Sequence, residues 1–145
     1  MDLKTMTGLQ LLQAMCDGQL PHPAICQTMP MQAQEVESGR VVFEVTANKS
    51  HTNPLGIVHG GFAATIIDSV TGCASHTMLP AGAGYGTVDL NVKMVRPIPF
   101  DVTLIAEGRV INAGKRVIIA QGDIKDAEGK LYAHGSATCL VTANT

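Results

Sequence analysis

Charge is scarce in this 145-residue chain: Asp, Glu, Lys and Arg make up 15% of it, while 46% is hydrophobic. An average soluble protein is about 25% charged. Ten Lys+Arg stand against twelve Asp+Glu, a net charge of −2. No basic run exists to follow a phosphate backbone, which argues against nucleic acid as a partner. Long apolar runs are missing too. The uncharged stretches are interrupted by Gly, His, Ser and Thr and are too polar to span a bilayer. The opening Met1-Asp2-Leu3-Lys4 lacks the basic-then-apolar layout of a secretory signal. The four cysteines, Cys16, Cys26, Cys73 and Cys139, form no C-x-x-C pair. Buried thiols in a reducing cytoplasm fit them better than disulfides or a zinc site. These absences lead to an expected soluble cytoplasmic protein, without a metal, nucleic acid or a membrane. With so little polar surface, part of its apolar exterior is expected to meet another subunit.

What is there reads as one domain over residues 1–145, with no repeat, linker or low-complexity tract. Leu9, Leu12 and Met15 at helical spacing predict a helix over 5–16, stopped near Gly18, and the Pro-rich passage 20–30 reads as irregular connection. Residues 31–48 read as two strands about a Glu37-Ser38-Gly39 turn, the second half-buried by the alternation of Val41, Phe43 and Val45. After a loop over 48–58, the stretch GFAATIIDSVTGCASHTM (61–78) is of another kind. It is rich in small residues and carries a single charge, Asp68. A helix apolar on nearly all sides belongs inside a domain. Everything after Pro80 reads as β. Val88, Leu90, Val92 and Met94 alternate with polar residues, Pro97 and Pro99 break the ladder, and strands over 102–112, 116–125 and 130–142 follow across short turns. An antiparallel sheet curled around a central buried helix hides both apolar surfaces: an α+β domain of hotdog shape.

The chemistry is concentrated in Asn53-Pro54-Leu55-Gly56-Ile57-Val58-His59-Gly60-Gly61 and the helix behind it. Glycines at a helix start bare the free N–H groups, which with the helix dipole suit a developing negative charge. Asp68 two turns on is costly if ionised without partners. It reads either as an acid that points outward or is neutralised by backbone donors, or as a general base or nucleophile. Eight residues from Gly60 correspond to about 12 Å of helix axis. One chain's Asp68 and Gly60 amide therefore cannot both reach a single reacting carbon. Two copies with antiparallel helices solve this, so a site shared between subunits is expected.

NPLGIVHGGFAATIIDSVTG, followed by TVDLNVKMVRPIP, the GKRV turn and DAEGKLYAHGSATCLV, resembles the hotdog-fold acyl-CoA thioesterases of the phenylacetic-acid-degradation (PaaI-type) branch of the 4-hydroxybenzoyl-CoA thioesterase superfamily. The likeness runs over about residues 48–141, and the first 30 residues carry no family signal. It implies hydrolysis of an aryl- or medium-chain acyl-CoA to the free acid and CoA, with no bound cofactor. In that scheme Asp68 is the base or nucleophile. The Gly60 amide polarises the thioester carbonyl, Asn53 and His59 orient thioester and water, and Thr87 stands beside the carboxylate. Gly61 and Phe62 meet the substrate, and Arg96, Lys115 and Arg116 meet the CoA phosphates. Ile66, Met78 and Tyr85 are further candidates for the acyl pocket. The family's usual homotetramer is two dimers.

Plainer roles compete. His59 can simply cap the helix, Asn53-Pro54 start a turn, Thr87 open a strand, and Lys115-Arg116 form a solvated hairpin tip. His51, His76 and His134 have no partner at ligand spacing and read as structural or surface residues. Two other functions also fit a hotdog domain. One is a non-catalytic acyl-CoA sensor, although residues 1–31 lack a basic DNA-binding footprint. The other is an enoyl or 3-hydroxyacyl thioester hydratase, which calls for a His facing the acid.

Overall fold

The computed structural model describes residues 1–142. Its elements are α1 (Gly8–Cys16), α2 (Ile25–Thr28), β1 (Met31–Glu37), β2 (Arg40–Thr46), α3 (Gly60–His76), β3 (Gly84–Met94), β4 (Thr103–Ala113), β5 (Val117–Lys125) and β6 (Leu131–Thr142). The strands form one antiparallel sheet in the order β1-β2-β4-β5-β6-β3, wrapped on α3 as the hotdog reading expects. No helix among the described residues is long and apolar enough to cross a membrane.

Local chemistry sets most boundaries. Thr7 and Gln10 close a reciprocal capping box that starts α1 at Gly8, later than the expected residue 5. The β1–β2 turn uses Gly39 at φ +78°, a conformation that disfavours a side chain. The passage 20–30, expected to be irregular, holds the single turn α2. It is built from Cys26 N–H to Pro23 O and Gln27 N–H to Ala24 O, and four residues are too few to show an apolar period. In β2, Val42 is buried although strict alternation with Val41, Phe43 and Val45 turns it to the opposite face. It lies in register between Glu35 and Glu107, and Arg40 bridges those two carboxylates at 2.7 and 3.0 Å, which shields it from water.

The largest departure is β3, which pairs only with β6 and is a free edge. The chain then crosses over residues 95–102 to place β4 beside β2, so β3 and β4 are consecutive but not neighbours. A bulge between Thr87 and Asp89 breaks the simple alternation. Of its expected half-buried face only Val92 is half-buried, while Val88, Leu90 and Met94 are 63%, 37% and 55% exposed.

Phe62, Ile66, Ile67 and Val70 of α3 pack on Val41, Phe43, Val45, Leu104, Ala106 and Ile124 of the sheet. Glycines permit the contact: a Cβ on Gly108 of β4 would stand 2.0 Å from the Val70 carbonyl oxygen. Because the obstacle is helix backbone, Gly108→Ala is expected to lose about 3 kcal/mol of stability, the upper end for an overpacked core. An unchanged urea midpoint would contradict this packing account. The sheet leaves one stripe of α3 uncovered. Gly61, Ala64, Thr65, Asp68, Ser69, Cys73 and His76 are half-buried at helical spacing, along the seam where the sheet does not close.

Candidate active site

Asp68 sits midway along that stripe, at the wall of a cavity of about 590 Å³. The two edges of the sheet meet there: Met31, Ala33 and Val36 of β1 on one side, and Tyr85, Gly86 and Thr87 of β3 on the other. Asp68 Oδ1 is buried and has no hydrogen-bond partner. A carboxylate oxygen left so is costly, and native proteins rarely keep one without a use for it. Among the described residues Asp68 is the only carboxylate lining the cavity, and no Lys or Arg lines it. Of its two thiols, Cys73 is pushed up to about 12, chiefly by burial and then by Cys26 and Asp68. Burial likewise raises Cys26. Both remain protonated and poor nucleophiles near neutrality. Burial, then Cys73, Cys139 and Asp68, raise the Tyr85 phenol, whose oxygen lies over Gly72, one turn beyond Asp68. Besides these groups, the acid–base side chains on this cavity among the described residues are Asp68 and His22. Thr87 lines the same cavity, its Oγ1 3.9 Å from Cys139 Sγ.

The N-terminus of α3 opens on a different cavity of about 220 Å³, lined by His59, Gly60, Met94, Arg96 and Tyr132 among others. His59 is the N-cap, its Nδ1 accepting from the Gly61 N–H at 2.7 Å. The plain capping role is realised, and it occupies the Gly61 amide. Phe62 N–H turns back to His59 O. Among the described residues the Gly60 N–H donates to no protein acceptor, so it is the free donor at the helix tip. His51 anchors this tip: its carbonyl accepts the His59 N–H at 2.7 Å, and its ring joins Asn48 N–H to Thr28 O. Its ring also lies 5.0 Å from that of Phe62.

The structure brings Asp68 and Thr87 together in one cavity, and His59, Gly60 and Arg96 in the other. Within one chain it does not join the two groups, consistent with the eight-residue spacing. Asn53 lines neither cavity; its Oδ1 accepts from Leu55 and Ile57 N–H and holds its own turn. Phe62 is 1% exposed in the core and also lines neither. Ile66 is core and Met78 stands exposed, so Tyr85 alone of the further acyl candidates borders the Asp68 cavity. Arg96 is exposed, its guanidinium donating to Leu131 O at 2.7 Å. Lys115 and Arg116 stand exposed at the β4–β5 tip, away from both cavities. Sequence reasoning missed that Leu12, Met15, His22, Pro23, Ile25 and Cys26, from the segment without family signal, close one side of the Asp68 cavity. The helical period of Leu12 and Met15 was a signal that α1 packs, though not on what.

The sequence model of the thioesterase superfamily matches residues 55–133. Human acyl-coenzyme A thioesterase 13 is 31% identical over 101 residues, which cover 69% of this chain and 71% of that protein. Among solved structures, a phenylacetic acid degradation-related protein from Ralstonia eutropha JMP134 superposes with a TM-score of 0.80 at 29% identity, covering 88% of this chain and 97% of its own. The PaaI protein of the E. coli phenylacetic acid degradation operon gives a TM-score of 0.80 at 17% identity, covering 92% and 94%, a likeness of fold. The fold is shared with these proteins, and the chain belongs to the thioesterase superfamily as a PaaI-type, hotdog-fold thioester hydrolase.

Proposed function

We propose that the protein hydrolyses an aryl- or medium-chain acyl-CoA, with Asp68 as base or nucleophile and the partner's Gly60 amide as oxyanion donor. The observation that carries this is the buried, unpartnered Asp68 Oδ1 in an apolar cavity. With Asp68 as base, water adds to the thioester carbonyl carbon while Asp68 takes its proton. The carbonyl oxygen becomes an oxyanion held by the amide, and collapse breaks the C–S bond, with the CoA sulfur leaving as a thiol on protonation. With Asp68 as nucleophile, its carboxylate oxygen bonds the carbonyl carbon and the same amide holds the oxyanion. The C–S bond then breaks to release CoA and leave a mixed anhydride, which water opens at the Asp68 carbonyl to free the acid. Hydrolysis in ¹⁸O-water under single-turnover conditions separates the two, since only the second route labels Asp68. Neither route calls on a metal or bound cofactor.

The edge strand supports the two-subunit site. β3 runs from Thr87, beside Asp68, to Met94, against Gly60. If β3 pairs antiparallel with its copy about a two-fold near Leu90, Thr87 comes opposite the partner's Met94, one strand spacing of about 4.8 Å away. Asp68 of one protomer is then brought to the helix tip of the other, and exposed Leu90 and Met94 are covered. Arg96 lines the cavity at the same tip, which supports a role for it on a CoA phosphate. Exposed Ile111, Val117, Ile119 and Leu140 form an apolar outer patch that supports pairing of dimers into a tetramer. Four free cysteines suit a cytoplasmic setting.

Free-thiol release, followed with a disulfide dye across phenylacetyl-, hydroxybenzoyl- and straight-chain acyl-CoA thioesters, tests the reading. Turnover is expected to favour apolar acyl groups over acetyl, on a dimer or larger species by sedimentation. No thiol release from any of them, or full activity in a strict monomer, would refute it.

A further inference from the structure

The superfamily match begins at residue 55, yet part of the Asp68 cavity is built by the first 26 residues. Between α1 and β1 the chain leaves the body of the protein: residues 17–28 are exposed apart from Leu20 and Cys26. This stretch is fastened at its two ends. At the first, Gln13 Nε2 donates to Val36 O at 3.3 Å and Cys16 Sγ to Ala33 O at 3.6 Å. At the second, His51 Nε2 bonds Thr28 O at 2.6 Å and Thr46 N–H donates to Pro30 O at 3.1 Å. What lies between is a strap across the open seam. His22, Pro23, Ile25 and Cys26 border the cavity from it, and no residue of α2 is buried.

The other walls have prior duties. Met31 and Phe43 belong to the core, and Cys73, Val36 and Ala33 pack directly against it, so a change there disturbs the fold as well as the cavity. On the strap Cys26 packs against that core as well, while His22, Pro23 and Ile25 border the cavity without belonging to it. Apart from His22 the strap's cavity-facing residues are apolar, and among the described residues no Lys or Arg lines any wall, so an anionic acyl terminus entering here would meet neither of them to pair with.

We propose that this strap, centred on Ile25 and Cys26, sets acyl selectivity, admitting uncharged apolar acyl groups and measuring their length by contact. The proposal rests on the reading of the Asp68 cavity as the acyl site, but its test does not need catalysis.

S-alkyl-CoA thioethers, which cannot be hydrolysed, are titrated calorimetrically into the full-length protein as a ladder from ethyl to dodecyl. Wild-type affinity is expected to rise with chain length at least to octyl. Cys26→Phe, which fills the cavity from the strap, is expected to cut the octyl-to-ethyl affinity ratio about tenfold, the effect of excluding roughly two methylenes from an apolar wall. Gln27→Phe, on an exposed neighbour that lines no cavity, keeps the wild-type ratio. Ile25→Ala, at a 44% exposed position, lowers the ratio by losing contact and serves if the larger side chain prevents folding. A wild-type ratio in both Cys26→Phe and Ile25→Ala, or equal binding of all lengths by wild type, overturns the proposal. A length-dependent ladder altered by these variants, in a protein that cleaves no acyl-CoA, upholds the strap and removes the hydrolase reading. Cleavage with an unaltered length profile does the reverse.

Discussion

Asp68→Asn is expected to lower acyl-CoA hydrolysis about 1,000-fold, the middle of the range for removing a positioned general base, while the protein melts no earlier than wild type. The two halves of this result belong together. Oδ1 is buried without a partner, so folding takes this oxygen out of water with no hydrogen bond in return. Asn keeps the shape and removes the charge. The neutral amide is cheaper to bury, so stability stays level or rises while the chemistry disappears, the usual sign of a group kept for function. S-octyl-CoA binding is expected to persist, because the apolar walls are unchanged. Wild-type turnover by Asp68→Asn would remove Asp68 from the mechanism. A melting temperature several degrees lower, with binding lost, would instead mark it as a structural residue whose partner lies outside this chain.

Much of the fold was legible because its signals are local. The small-residue run over 61–78 carries one charge and cannot sit on a surface, and short turns after residues 112 and 126 force antiparallel neighbours. The reach of Asp68 was legible too, since helix rise alone separates it from Gly60. Other features depend on what the chain meets from afar. Phe62 follows the glycine pair and looked available to substrate, but it points into the core beside His51. Asn53 spends its carbonyl on its own turn. The alternation in β3 marks a face to be covered, and nothing local says that this chain leaves it open. The roof of the Asp68 cavity was hardest, because a one-turn helix in a Pro-rich passage has no period to read.

The sharing of the site between protomers is open to a test that no single-chain account survives, and Gly60→Pro makes it possible. Proline removes the N–H and little else here. Gly60 is the first helical residue, where proline is favoured, and His59 at φ −62°, ψ 136° already has the extended conformation a pre-proline residue needs. The ring's nearest obstacle is Met94 Sδ, on a flexible side chain that can withdraw. The variant is therefore expected to fold and to lose about 100- to 1,000-fold in turnover, the cost of one oxyanion donor. Heterodimers of Asp68→Asn with Gly60→Pro, isolated through two different tags, then discriminate. If each site takes Asp68 from one protomer and the amide from the other, one site of the pair carries both lesions and the second carries none. Such heterodimers recover about half of wild-type activity, as two-fold symmetry requires. If each site lay within one chain, both would be damaged and no activity would return. Recovery also demands that the two lesions act on chemistry rather than folding, since a misfolded protomer could not lend its partner an intact Asp68 or an intact helix tip.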